Sequence, residues 1–119
     1  MTDKFIYKIC TIAEWSNALS KNVFEGSPVD EADGYIHFSI ASQVRKTTAK
    51  YFSDVSDLYL LEVDITLLTE PLLWEESRGG DLFPHLYGSL PTTAVTAVHP
   101  LPLGQDGLHQ FPNHIGEAP

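Results

Sequence analysis

Apolar and polar positions alternate at the start of the chain. Phe5, Tyr7 and Ile9 take turns with Lys4, Ile6 and Lys8, which is the two-residue period of a β-strand. The spacing then changes. Thr11 and Glu14 fit a capping box, and Ile12, Trp15 and Leu19 follow at helical intervals, predicting a short amphipathic helix over 12–20. Residues 25–34 carry Gly26, Ser27, Pro28, Asp30 and Asp33 and read as loop. Residues 34–39 form the next strand candidate. A second helix is expected over 40–52, with Ile40, Val44, Thr48 and Tyr51 on its apolar side and Arg45, Lys46 and Lys50 elsewhere.

The run 58–65 is the most apolar β-segment and reads as a central strand. Residues 71–75 form a shorter strand whose opening proline suits an edge. Arg78, Gly79, Gly80 and Asp81 read as a loop, with irregular chain continuing to Leu90, and 94–98 as a last strand. The order β-α-β-α-β-β-β, with two early helices, predicts an α+β domain of mostly antiparallel strands over 1–103. Gly, Pro, His and Asn dominate from residue 104 onward, so 104–119 is expected to be a flexible C-terminal tail.

Composition places the chain among globular proteins: 119 residues with 43% hydrophobic and 19% charged suit one domain with a real core. Charge narrows the partners. Seven Lys+Arg against sixteen Asp+Glu give −9, and after Lys50 the only basic side chain is Arg78. An extended nucleic acid needs several cationic phosphate contacts and is excluded as the expected partner, whereas a small nucleotide-like ligand is not. The first ten residues mix charge with apolar side chains and read as strand, not leader. No apolar run approaches the ~20 residues of a membrane helix, so no membrane partner and a cytoplasmic location are expected. A single cysteine, Cys10, excludes an internal disulfide and reads as a small buried hydrophobe.

Two stretches carry candidate chemistry. On a strand over 35–39, Ile36 and Phe38 share one face while Tyr35, His37 and Ser39 share the other, which makes a polar cleft floor or an ordinary half-exposed strand face. The irregular stretch 74–88 gathers Arg78, His85, Tyr87 and three carboxylates. Irregular segments of that length inside a small domain are often functional. Arg78 is suited to a bidentate pair with a phosphate or carboxylate, or else neutralises Glu75, Glu76 or Asp81 beside it. Imidazole chemistry near neutral pH makes His85 an acid–base candidate. The metal motifs are absent: no HExxH occurs, no short ligand spacing joins His37 to His85, and His109 and His114 read as a chance pair, so no metal is expected.

The opening Ile6–Ile9 strand, Asp33–Ser39, Leu60–Asp64 and above all Arg78–Leu90 resemble the DUF952 family of small, mainly bacterial proteins, over about residues 4–103. That family is in turn similar to the ADP-ribosyltransferase fold. The resemblance implies a cleft for NAD or an ADP-ribose-like nucleotide, with His37 and Ser39 matching a cofactor-holding strand and Tyr87 stacking on nicotinamide. Arg78 and His85 then contact phosphate or acceptor groups. It implies NAD-dependent ADP-ribosyl or phosphoryl transfer, or hydrolysis, with His37 and His85 as the catalytic pair. The transferase glutamate that follows the aromatic strand has no counterpart here, since Asp106 and Glu117 are the only acids after Tyr87. The alternative is a non-catalytic ligand- or protein-binding module that keeps the cleft.

Overall fold

The strand β1 (Phe5–Thr11) is buried on both faces, and its one lysine, Lys8, is buried with it. It pairs antiparallel with β4 (Leu58–Asp64), and β4 pairs on its other side with β8 (Val95–Pro100). The expected central strand is therefore central. Residues 4–77 and 80–115 are described by the computed structural model of the chain. Side-chain alternation divides the interior in two. Ile6, Cys10, Leu61 and Val63 pack with Trp15, Ile36 and Leu86 on one side of this sheet. Tyr7, Ile9, Leu58 and Leu60 pack with Val44, Leu101 and Ile115 on the other.

The first helix, α1 (Ile12–Lys21), starts as the spacing predicts. Glu14 N donates to Thr11 Oγ1 at 3.0 Å and Thr11 N donates to Glu14 Oε1 at 2.8 Å. Its buried stripe is Trp15 and Ala18, while Ile12 and Leu19 stay exposed. After β2 (Val23–Phe24) comes α2 (Pro28–Asp33), in place of the expected loop. The residues that look like loop formers are the helix ends: Ser27 caps, Pro28 opens the first turn, and Gly34 closes it at φ +88°. The next elements are β3 (Ile36–His37) and α3 (Ala41–Tyr51), the latter burying Val44 and Thr48 but leaving Tyr51 exposed.

A second sheet holds the order β3-β6-β5, with β5 (Leu72–Glu76) at its edge and β6 (Leu82–Leu86) in its centre. The stretch around Pro84, expected to be irregular, is thus a strand. Register compensates for the proline, whose carbonyl accepts from Phe38 N at 3.0 Å. The short β7 (Leu90–Pro91) pairs with β2. Among the described residues the class is α+β with every strand pairing antiparallel, as expected from the sequence, but with three α-helices instead of two.

The expectation of a flexible tail from residue 104 is corrected as far as Ile115. That side chain is fully buried, and Arg45 Nε donates to its carbonyl at 2.9 Å. The Arg45 guanidinium also lies over the Phe111 ring, 4.9 Å from its centroid. Gly, Pro and Asn in this segment make turns over the core and give no helical or strand period to read.

Candidate functional site

The second sheet turns one face to the core, through Ile36 and Leu86, and the other to a cleft. His37 from β3 with Tyr35 just before it, His85 from β6 and Glu75 from β5 stand on the cleft side, with Tyr87 just past the end of β6. His37 and His85 are direct partners across the β3–β6 ladder, and His85 faces Leu73 across β6–β5. Glu75, two residues along β5, is then diagonal to His85 and reaches it. His85 Nδ1 donates to Glu75 Oε1 at 2.7 Å, and the Tyr87 hydroxyl donates to the same oxygen at 2.8 Å. These hydrogen bonds, from His85 first and Tyr87 second, hold the Glu75 carboxyl below its ordinary pKa. The same bond raises Tyr87. Tyr35 stacks on His85 with ring centroids 4.3 Å apart and lies 5.1 Å from Tyr87.

A buried ion pair stands behind this face. Asp30 on α2, 1% exposed, receives Lys8 Nζ at 2.7 Å and Ser27 N at 2.9 Å on Oδ2. Its Oδ1 receives His37 N at 3.1 Å and His37 Nδ1 at 2.6 Å. Burial raises the Asp30 pKa, but the His37 hydrogen bond, the Lys8 charge and the Lys8 and Ser27 hydrogen bonds outweigh it and hold the carboxyl far below the usual range. Close packing is built into the turn: a Cβ on Gly26, at φ +106°, would meet Asp30 Cβ at 2.7 Å. On the outer edge of the ring, His37 Nε2 lies 2.9 Å from Asp33 Oδ2.

His37, Ser39 and His85, chosen from the sequence, line one pocket together with Lys8, Thr47 and Phe83. Ser39 leaves the second sheet and bridges to β1, exchanging backbone hydrogen bonds with Tyr7 at 2.8 and 2.9 Å. Its hydroxyl faces Thr47 Oγ1 at 3.4 Å. Tyr87 joins the same ring cluster but does not line that pocket, so its hydroxyl serves Glu75. Arg78 and Gly79 lie outside the described residues. Sequence reasoning passed over Lys8, Asp30 and Glu75. Lys8 looks like the solvent side of an alternating strand, and Asp30 like a turn residue. Glu75 reads from the sequence only as a neighbour that neutralises Arg78. The β5–β6 pairing is what carries it back to Tyr87.

The class these features define is an antiparallel α+β protein with a histidine- and carboxylate-bearing sheet face. Residues 9–98 match the family described as "Protein of unknown function (DUF952)", and the chain belongs to it. Its fold is similar to the crystal structure of protein CC0527 from Caulobacter crescentus, at 47% identity and a TM-score of 0.87, covering 92% of this chain and 96% of that one. The solution NMR structure of CC0527 matches with 47% identity and a TM-score of 0.82, covering 93% and 96%. No curated protein matches the sequence.

Proposed function

We propose that the cleft binds a small nucleotide-like ligand, NAD or ADP-ribose, in a fold of the ADP-ribosyltransferase kind. The observation that carries this reading is the shared pocket of His37, Ser39 and His85, the residues the resemblance picks out. That pocket is small, about 60 Å³, and takes one terminal group, not a whole dinucleotide. The rest of the ligand has somewhere to lie. Thr47 and Phe83 also line an open groove along α3 that contains Lys46 and Lys50. Among the described residues neither lysine has an ion pair within 4 Å, and Asp81 is the groove's acid. Phosphates on these ammonium groups suit an otherwise acidic protein.

Within this reading His37 is a binding residue, fixed by Asp30 and Asp33. His85 is the acid–base group for transfer or hydrolysis at an N-glycosidic or phosphate bond. Glu75 holds Nδ1 and thereby fixes the tautomer, leaving Nε2 to exchange a proton with the ligand. A non-catalytic module with the same pocket is the second reading, favoured by the small volume of that pocket. An amide NMR titration with ADP-ribose tests both. Signals of Ser39, Thr47 and His85 move if the cleft is the site, while shifts confined to other surfaces, or none, overturn the proposal. Product formation from NAD separates the enzyme from the module.

A further inference from the structure

We propose that Glu62, His99 and His114 form a binding site for a late first-row divalent cation such as Zn²⁺. The three residues come from β4, β8 and the C-terminal segment, on the sheet side opposite Trp15. Residues at alternate positions share a face, so Glu62 follows Leu58 and Leu60, and His99 is the ladder partner of Leu60. His114 arrives with Ile115, which is buried against that same face.

One ligand atom from each residue lies within 4.8 Å of the others. His99 Nε2 is 3.1 Å from Glu62 Oε1, and His114 Nε2 is 3.8 Å from the same oxygen. Zinc bonds of about 2.0–2.2 Å in a tetrahedron put ligand atoms roughly 3.3 Å apart. The His99 spacing to Glu62 already suits this, while His114 has to close in from 3.8 Å on Glu62 and from within 4.8 Å on the His99 ligand nitrogen. Its side chain is 64% exposed and free to make that adjustment.

The 3.8 Å separation is too long for a hydrogen bond, and His114 instead meets the His99 ring edge-on, with centroids 5.9 Å apart, which brings the two imidazoles together beside Glu62. Two borderline imidazole nitrogens and one hard carboxylate oxygen make a donor set that zinc accepts, and three protein ligands leave a fourth position for water. Binding requires neutral imidazole with the Nε2 lone pair free. His99, which donates from Nε2 to Glu62, moves its proton to Nδ1, and the metal replaces that hydrogen bond. His109 is not part of the set, since its Nε2 donates to Val55 O at 2.6 Å. The bound cation would fasten the C-terminal segment to the central sheet.

Calorimetric titration of Zn²⁺ into untagged, chelator-treated protein tests the site. One equivalent binds the wild type, and His114→Ala and His99→Ala each weaken binding at least about tenfold. His109→Ala leaves it unchanged. The exposure of His114 keeps that variant folded even where His99→Ala is damaged. Histidine NMR signals of the wild type identify the ligands directly, with His99 and His114 shifting at one equivalent. Absence of saturable binding, unchanged affinity in His114→Ala, or shifts of other histidines overturns the proposal.

Discussion

Asp30 and His37 are tied twice, since Asp30 Oδ1 accepts both the backbone N of His37 at 3.1 Å and its ring Nδ1 at 2.6 Å. One carboxylate oxygen therefore sets both the strand position and the ring orientation of His37, the residue proposed to bind the ligand. The other oxygen neutralises Lys8. A short helix with no apolar periodicity is thereby connected to the pocket through the most buried acid among the described residues.

Replacing that acid is expected to be severe. Asp30→Asn leaves Lys8, 6% exposed, as an uncompensated buried cation. Removing one partner of such a pair typically costs about 3–5 kcal/mol. Urea unfolding of wild type and variant measures this. A loss under about 1 kcal/mol would mean that Lys8 reaches water easily.

Acid sensitivity follows from the same group. A carboxyl whose folded pKa lies below its unfolded value of about 3.8 contributes stability that is fully present above that value and disappears as pH falls through the folded one. Glu75, also lowered, acts in the same direction. Thermal unfolding between pH 7 and pH 2 is expected to show a steep loss below about pH 4 in the wild type, and a shallower loss in Asp30→Asn. Parallel curves would show that other groups govern acid unfolding.

The hydrogen bond from Tyr87 to Glu75 predicts a spectroscopic change. It is the largest cause of the raised Tyr87 pKa, ahead of burial and the Glu75 charge. In Glu75→Gln the Tyr87 phenol returns toward the ordinary tyrosine value of about 10. Ultraviolet titration of tyrosinate would then develop at lower pH than in the wild type. An unchanged titration would show that the bond is not maintained.

Cys10 predicts inertness. Burial first, and the Glu14 charge second, push its thiol up to about 12. A thiol reagent at pH 8 is expected to label native protein only as fast as the chain unfolds, with rapid labelling in denaturant. Fast labelling of native protein would place Cys10 nearer the surface.

Packing of the C-terminal segment is also testable. Ile115 is fully buried with Leu58, Leu60 and Val44, and Ile115→Ala is expected to cost about 2–5 kcal/mol in denaturant unfolding. A change below about 0.5 kcal/mol, typical of surface positions, would restore the flexible tail.

Periodicity made the long elements legible. The Thr11–Glu14 box, Val44 and Thr48 on α3, and the apolar β4 run each state their structure locally. The site was half legible. Alternation separates His37 from Ile36 and Phe38 without any structure. Lys8 escapes because β1 is buried on both faces, which no alternation reveals. Asp30 escapes because a six-residue helix has ends but hardly a middle. Glu75 and Glu62 acquire their partners through strand pairing, and so does His99. His114 is brought near by the buried neighbour Ile115, a contact of long sequence separation.

Calorimetric titration of ADP-ribose and NAD into wild-type protein and His37→Ala, with the fold of the variant checked by circular dichroism, tests the nucleotide cleft most directly. Micromolar binding by the wild type, lost in the folded variant, is the predicted result. No heat with either ligand, or binding that His37→Ala leaves intact, would contradict it.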